Sequence, residues 1–507
     1  MPTSRRYLHQ KGTTVMLTLS KSKYISGLQC PKILWLDSNR PELRDDSDKQ
    51  KTFERGTFVG DLARGYFGEY HLIDFDKGIA DMLKQTKSLI SENAETICEA
   101  SFSKANLFCS VDILHLENGK YDIVEVKSST SVTDTYINDT AFQYHVLKES
   151  GVNLGNAYIL HIDNTYVRKD ELDIHGLFKL EDVTEKVMEL LPDIPENINR
   201  IREEADVPEE PGTAISSRCV HPYECPYRNY CHRDVPENSV FDVARLSKDK
   251  AYALYEDGII TFEDILKSRA VLNAKQMRQV RSTVLDEEPT VDVEAIREFL
   301  DTLTYPMYFL DFETYQEAVP QFDDAKPYQQ IPFQYSLHIR ESRDSEEKHL
   351  EFLGTEGTDP RRALAERLCE DIPMNVCSLA YNMGFEKARI REMADIFPDL
   401  KDHLLNIAEN MKDLMIPFQK QYYYSKALKG SYSIKYVLPA MCEGDEELNY
   451  KALDQIHNGS EAMNAFTEMV LLSEEERLKT RKNLLAYCRL DTLAMVRILD
   501  RLYEFTE

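Results

Sequence analysis

Residues 307–315 read MYFLDFETY. The aromatic content is that of a strand, and side chains alternate faces along a strand. Asp311 and Glu313 therefore share one face, with Phe312 on the other. Two adjacent carboxylates repel each other, and a divalent cation is the natural reason to keep them together. Working outward, PFQYSLHIR (332–340) and HLEFLG (349–354) read as further strands, and from about 360 onward the pattern is mainly helical. In AYNMGFEKARI (380–390), Asn382 and Glu386 lie four apart and are expected to share a helix face. In LAYCRLDTLAM (485–495), Tyr487 and Asp491 have the same spacing. Asp413, in KDLMIP, competes with Glu386 as the third acid of this group.

A second acidic group lies nearer the N-terminus. ANLFCSVDILHL (105–116) and KYDIVEVKSST (120–130) are β-rich runs flanking Asn118-Gly119, a hairpin signal. Glu125 and Lys127 share a face of the second strand, and Asp112 on its partner can meet them. Carboxylates beside a lysine suit phosphodiester hydrolysis, because the acids hold Mg²⁺ or Mn²⁺ and the ammonium orients or activates the attacking water. An amphipathic helix is expected from about Asp139 to Ser150, followed by a strand, AYILHID; Gln143 on that helix and Glu99, in EASF, are additional candidates.

A third signal is thiol spacing. Cys219, Cys225 and Cys231 stand in CVHPYECPYRNYC, with five residues between neighbours, and Cys30 lies far upstream in GLQCPKILWL. Ten cysteines in a large, expectedly cytoplasmic chain point to reduced thiols or metal ligands rather than disulfides. Zinc and iron–sulfur clusters both use four thiolates, and His221 and His232 keep zinc open. Cysteines 98, 109, 369, 377, 442 and 488 read as small core residues.

Composition bounds what these groups can do. The chain has 507 residues, 42% hydrophobic and 29% charged, which suits about three soluble domains. A net charge of −27 excludes coating nucleic acid by bulk positive charge. No apolar run reaches the length of a membrane span, and residues 1–17 lack the apolar core of a secretory signal. Residues 1–15 read as a non-native or disordered extension, with Met16 a candidate start. Two stretches without acids could still guide a strand. Residues 265–285 hold Lys267, Arg269, Lys275, Arg278 and Arg281, behind ALYEDGIITFEDIL, whose Gly-containing turn could offer N–H groups to a phosphate. Residues 414–442 hold Lys420, Lys426, Lys429 and Lys435 among Tyr422, Tyr423, Tyr424, Tyr432 and Tyr436, the mixture a single-strand path uses.

The order E-A-S-F, S-V-D-I-L, E-V-K-S-S and F-Q-Y resembles the PD-(D/E)XK nucleases of the RecB-like branch, which includes CRISPR-associated iron–sulfur nucleases. The resemblance implies a restriction-endonuclease-like α/β domain with Asp112, Glu125 and Lys127 catalytic, Gln143 assisting, and Glu99, Asp112 and Glu125 on metal. It also implies a [4Fe–4S] cluster on Cys30, Cys219, Cys225 and Cys231 that ties the start of the domain to its end, with zinc as the alternative. The family carries a metal-binding His on an early helix; FERGTFVGDLARGYF has none, and Asp61 or Glu54 are candidate substitutes. The C-terminal set is similar to the DEDDy exonucleases of the ribonuclease H-like fold. There Asp311, Glu313, Glu386 and Asp491 would hold two divalent ions and Tyr487 would position the water, although that family's third acid is normally Asp. Together the motifs resemble a bacterial family of predicted nucleases of unknown function. The expected layout is a mixed α/β chain: 16–235 a RecB-like nuclease domain with the cysteines, 236–290 a helical helix–hairpin–helix-like connector, and 291–507 an exonuclease domain. Its expected substrate is nucleic acid, DNA ahead of RNA, cut 3′→5′ at the C-terminal site, with no membrane partner. The competing reading is a nucleic-acid-binding or scaffold protein in which one nuclease fold is inactive.

Overall fold

The computed structural model describes residues 17–46, 49–442, 448 and 453–507, with the backbone alone for 49–55. The expected extension 1–15 and the side chain of Glu54 lie outside the described residues. The class is mixed α/β, and among the described residues no helix is long and apolar enough to cross a membrane. The chain divides into two compact units: one runs to Tyr166 and takes in Leu172–Asp234, and the other comprises Val167–Glu171 and Val235–Glu507. Residues 236–290 thus belong to the second unit.

The first unit is built on a sheet of strands β1 (Leu19–Ser20), β2 (His71–Leu72), β3 (Thr96–Lys104), β4 (Leu107–Glu117), β5 (Lys120–Lys127), β6 (Leu154–Ile162) and β7 (Phe178–Asp182). The order is β2-β3-β4-β5-β6-β7, with β1 pairing off the path in parallel with β4. β4 and β5 form the expected hairpin: Glu117 pairs with Lys120, and Asn118 (φ 50°) and Gly119 (φ 77°) supply the left-handed backbone that a tight two-residue turn needs. The following helix begins at Asp134, five residues before the expected Asp139, because Thr133 is still extended and Asp134 already fills the acidic first turn. That helix lies on the sheet, burying Ala141, Phe142, Val146 and Leu147 with Ile123, Ile159 and Val111. Gly27, in helix Lys21–Gln29, allows close packing: a Cβ there would lie 2.6 Å from Ile201 of helix Ile194–Ala205.

The second unit contains β8 (Thr290–Val291), β9 (Met307–Tyr315), β10 (Ile331–Arg340), β11 (Lys348–Leu353), β12 (Cys377–Ala380), β13 (Met411–Asp413) and β14 (Tyr423–Tyr424). Five of them form one sheet, ordered β11-β10-β9-β12-β13; β10 is antiparallel to both β11 and β9, and β12 and β13 run parallel to β9. Every residue of β10 is buried although every second one is polar. One face (Tyr335, Leu337, Ile339) enters an apolar core with helix Arg361–Asp371. The polar face docks the long helix Glu474–Glu504 step by step. Gln334 donates to the Leu484 carbonyl (2.8 Å), Ser336 and His338 meet the Thr492 hydroxyl (2.7 and 2.8 Å), and Arg340 makes a two-pronged bond to Asp500 (2.8 and 2.9 Å). Residues 334 to 340 of the strand are thus matched by residues 484 to 500 of the helix, about four and a half turns. In the sheet register Gln334 pairs with Glu313 and Ser336 with Asp311, so the same contacts bring the helix over the two acids of β9.

Candidate functional site

In the first unit the β4–β5 ladder stops at Ile113–Val124, and there the Asp112 carboxylate takes the N–H of Val126 (2.8 Å). Glu99 faces Asp112 from β3 with φ 60°, an unusual left-handed backbone for a strand residue of this size. Arg64 lies 3.4 Å from Glu99 and 2.7 Å from Asp61. Glu125 is fully buried and heavily bonded: Lys21 and Lys127 both approach its Oε1 at 2.7 Å, and Gln143 donates to its Oε2 at 2.6 Å. Lys127 also reaches Asp139 (2.9 Å) and lies 4.8 Å from the centre of the Tyr136 ring. Asp112, Glu125, Lys127 and Gln143 therefore come together, with Glu99 at the margin. Asp139 and Lys21 belong with them but escaped the sequence reading. Asp139 was taken only as a helix start, and Lys21 shows no signal beyond a lysine at a capped helix start.

Electrostatics sorts these groups. Burial, followed by Glu125, pushes Asp112 up to about 7. Burial opposes ionisation of Glu125 too, yet Lys127 and Lys21 outweigh it and hold Glu125 well below the usual carboxylate range. Burial works against charge on Lys127 as well, and Glu125, Asp139 and Asp112 outweigh it, raising its pKa. Lys127 stays an ammonium: it can orient a group, but it cannot take a proton from water near neutrality. Lys21, Lys127, Tyr136, Asp139 and the exposed Tyr223 line an open cleft of ≈ 890 Å³.

Cys30, Cys219, Cys225 and Cys231 line one small cavity in the same unit. The loop carrying three of them is fixed to the N-terminal helices by Gln29, which donates to the carbonyls of Arg218 and Tyr223 (both 2.7 Å), and by Tyr227 packing with Ile33, Trp35 and Leu36. Burial pushes the thiols of Cys30 and Cys231 up and that of Cys225 to about 12, with the neighbouring cysteines adding to it, as expected of thiols gathered without a cation. His232 is engaged elsewhere, its Nδ1 at the Arg228 carbonyl.

In the second unit, Asp311, Glu313 and Cys488 place ligand atoms within 4.8 Å of one another, the one such trio among the described residues. The buried Cys488, read from sequence as a core residue, is 3.8 Å from Asp311 Oδ2. Its position three residues before Asp491 and one after Tyr487 was the available signal. Burial, then Asp491, Glu313 and Glu386, holds Asp311 well above the carboxylate range. Burial and Asp491 push Glu313 to about 8 against the pull of Lys435. Burial and Asp413 push Glu386 to about 8, and its buried Oε2 has no hydrogen-bond partner. Burial, then Asp491, raises Tyr487, so it remains a phenol. Between the two rivals, Asp413 takes the N–H groups of Asn382 (2.9 Å) and Met415 (3.0 Å) on one oxygen, Oδ1, whereas Glu386 acts on Asp311 and Glu313. Asn382 does not share the Glu386 helix face as expected: the helix starts at Gly384, and Asn382 sits in the preceding turn at φ 74°.

The basic stretches fare unevenly. Lys267 and Arg269 are exposed. Lys275 donates to the Gln419 carbonyl (2.6 Å), Arg278 lies over the Tyr424 ring (4.6 Å), Arg281 pairs with Glu287 (3.2 Å) and Lys426 with Asp286. Lys429 is exposed, and Lys435 lies close enough to Glu313 to lower its pKa. Tyr423 and Tyr424 are core residues, so these two rings do not form the expected stacking path. The Gly258 turn is also closed to a phosphate. Gly258 and Ile259 donate to Tyr255 and Leu254, and Ile260 and Thr261 to the Asp264 carboxylate.

Residues 308–433 match a family model described as a domain of unknown function, DUF2779. No curated protein and no solved structure matches the chain.

Proposed function

We propose that the chain is a nuclease with two phosphodiester sites, the C-terminal one a metal-dependent 3′→5′ exonuclease, on DNA ahead of RNA. The observation that carries this reading is the buried carboxylate group of the second unit. Glu313 and Glu386 are buried and Asp311 is half-buried beside them, no lysine or arginine among the described residues forms an ion pair with any of the three, and Glu386 Oε2 is an orphaned acceptor. Such a set fits Mg²⁺ or Mn²⁺, which take oxygen ligands and repay the desolvation. The sheet order, three antiparallel strands followed by two parallel to the first, is that expected of a ribonuclease H-like domain.

Asp311, Glu313, Glu386 and Asp491 would hold the ions. Divalent ions there supply a Lewis acid that polarises the phosphodiester and lowers the pKa of water. Tyr487, kept a phenol by its surroundings, orients a water by hydrogen bonding and holds its own proton. Lys435 is placed to meet the backbone of an incoming strand. At the first site, Asp112, Glu125 and Lys127 are the hydrolytic set, with Gln143 fixing Glu125.

The four cysteines are proposed to hold a [4Fe–4S] cluster. Tetrahedral zinc, with Zn–S of about 2.3 Å, draws thiolates to within about 3.8 Å of one another; no three of the four approach even to 4.8 Å, and a wider cluster suits that spacing. Anaerobically purified protein should be brown, and a colourless protein carrying zinc would remove the cluster.

The test of function compares wild type, Lys127→Ala and Asp311→Ala on end-labelled single- and double-stranded DNA and RNA with Mn²⁺. Asp311→Ala should abolish stepwise shortening from the 3′ end, and Lys127→Ala should remove any other cut. Identical products from all three would sink the two-site reading. The binding-module alternative for the first unit is favoured by one observation, the lysine on Glu125.

A further inference from the structure

Glu125 is the acid on which an ion at the first site would depend, and three donors already occupy its two oxygens. Lys21 and Lys127 both bond Oε1 at 2.7 Å, and Gln143 bonds Oε2 at 2.6 Å. The two lysines are not equivalent. Lys127 is held a second time by Asp139 (2.9 Å) and is covered by the Tyr136 ring. Among the described residues Lys21 has Glu125 as its one hydrogen-bonding carboxylate; it retains 25% side-chain exposure and lines the ≈ 890 Å³ cleft. It is also precisely positioned in sequence terms: it opens helix Lys21–Gln29, directly after the short strand β1 that pairs with β4, the strand of Asp112. An ammonium there costs no ion binding from solution, and its charge repels any divalent ion that approaches Glu125.

We infer that Lys21 is the resident cation of the first site and keeps divalent ions off Glu125. The local charges support this assignment: Lys21 and Lys127 answer two of the three carboxyls Asp112, Glu125 and Asp139, and Arg64 pairs with Glu99. The second unit brings Asp311, Glu313 and Glu386 together without a bonded lysine or arginine among the described residues, so the same residue chemistry yields one site that demands an ion and one that has replaced it. The inference leans on the proposed nuclease reading only for the expectation that an ion would be sought at Glu125, and its test does not measure cleavage.

The experiment counts bound Mn²⁺ by the loss of the free-ion EPR signal in the full chain. An Asp311→Asn, Glu313→Gln background removes ligands of the second unit. In that background the chain with Lys21 should bind no Mn²⁺ at the first site. Lys21→Met should gain one equivalent, Lys21→Arg should gain none, and adding Glu125→Gln to Lys21→Met should abolish the gain. Should Lys21→Met lose its far-UV circular dichroism, Lys21→Gln, which keeps a donor to Glu125, takes its place. An equivalent that binds with Lys21 present and disappears with Glu125→Gln overturns the inference, and so does a folded Lys21→Met or Lys21→Gln chain that gains none. Failure of the nuclease reading would appear separately, as absent cleavage with these ion counts unchanged.

Discussion

Glu125 and Glu313 make an instructive pair. Each is a buried acid on a strand at the heart of its unit, and burial opposes ionisation of both. Glu125 has two ammonium groups bonded to one oxygen and is driven well below the ordinary carboxylate range. Glu313 has acids for neighbours and only the more distant pull of Lys435, and it rises to about 8. A buried carboxylate cluster is therefore not in itself a metal signature. What distinguishes the two is whether the protein supplies the counter-charge or leaves it to a ligand.

The largest expected effect follows from that contrast. Asp311→Asn should reduce 3′→5′ shortening by about 10³-fold or more, roughly 4 kcal/mol of transition-state stabilisation. The chain should not lose stability, because the change removes one of several mutually repelling acids. A variant that cuts normally, or one that unfolds, would break the assignment of these acids to metal.

Next in size is the pH dependence of stability without metal. Glu313 and Glu386 titrate near 8 in the fold and at 4.5 in the unfolded chain. Between those values the folded state keeps protons that the unfolded chain has released, so stability falls as pH rises across that window and levels off above it. The melting transition of the second unit should drop by about 5 °C or more from pH 5 to pH 8, and Mn²⁺ should reverse the loss. The first unit should respond less, because Asp112, raised to about 7, titrates within that range, while Glu125, held low, is ionised in both the folded and the unfolded state and contributes no slope there. Calorimetry with and without Mn²⁺ reads both transitions. A flat second transition would remove the distinction between the units.

Much of this was legible in the sequence, and the gaps have physical causes. The β4–β5 hairpin was readable from Asn118-Gly119, and β9 to β11 from their alternation, because these are local signals. The pairing of Asp112 with Glu125 and Lys127 followed from the hairpin. Lys21 was not legible: it reaches Glu125 across 104 residues, and nothing local marks a lysine as a counter-ion. Asp413 and Glu386 could not be separated by spacing, since what distinguishes them is hydrogen bonding: one oxygen of Asp413 takes two backbone N–H groups, and one oxygen of Glu386 is orphaned. The tyrosines of 422–424 suggested a stacking surface because composition cannot tell a buried ring from an exposed one.

The polar face of β10 sharpens the comparison at the smallest scale. Asp491 is carried by a helix that β10 holds through Thr492, whose hydroxyl meets Ser336 at 2.7 Å and His338 at 2.8 Å. Burial pushes His338 down to about 3, so it is neutral and its Nδ1 depends on this hydroxyl for a partner. Thr492→Val keeps the shape and removes the hydroxyl, leaving the buried His338 Nδ1 unpaired and Ser336 with His349 as its remaining side-chain partner (2.9 Å), a cost of about 1–3 kcal/mol. That should lower the second melting transition by about 2–8 °C. The acids themselves are untouched, so 3′→5′ shortening should fall by less than about tenfold, with the loss arising from a displaced Asp491. If this variant were as inactive as Asp311→Asn yet equally stable, Thr492 would belong to the chemistry and not to its support. The second site would then extend beneath the carboxylates into a network that the first site lacks.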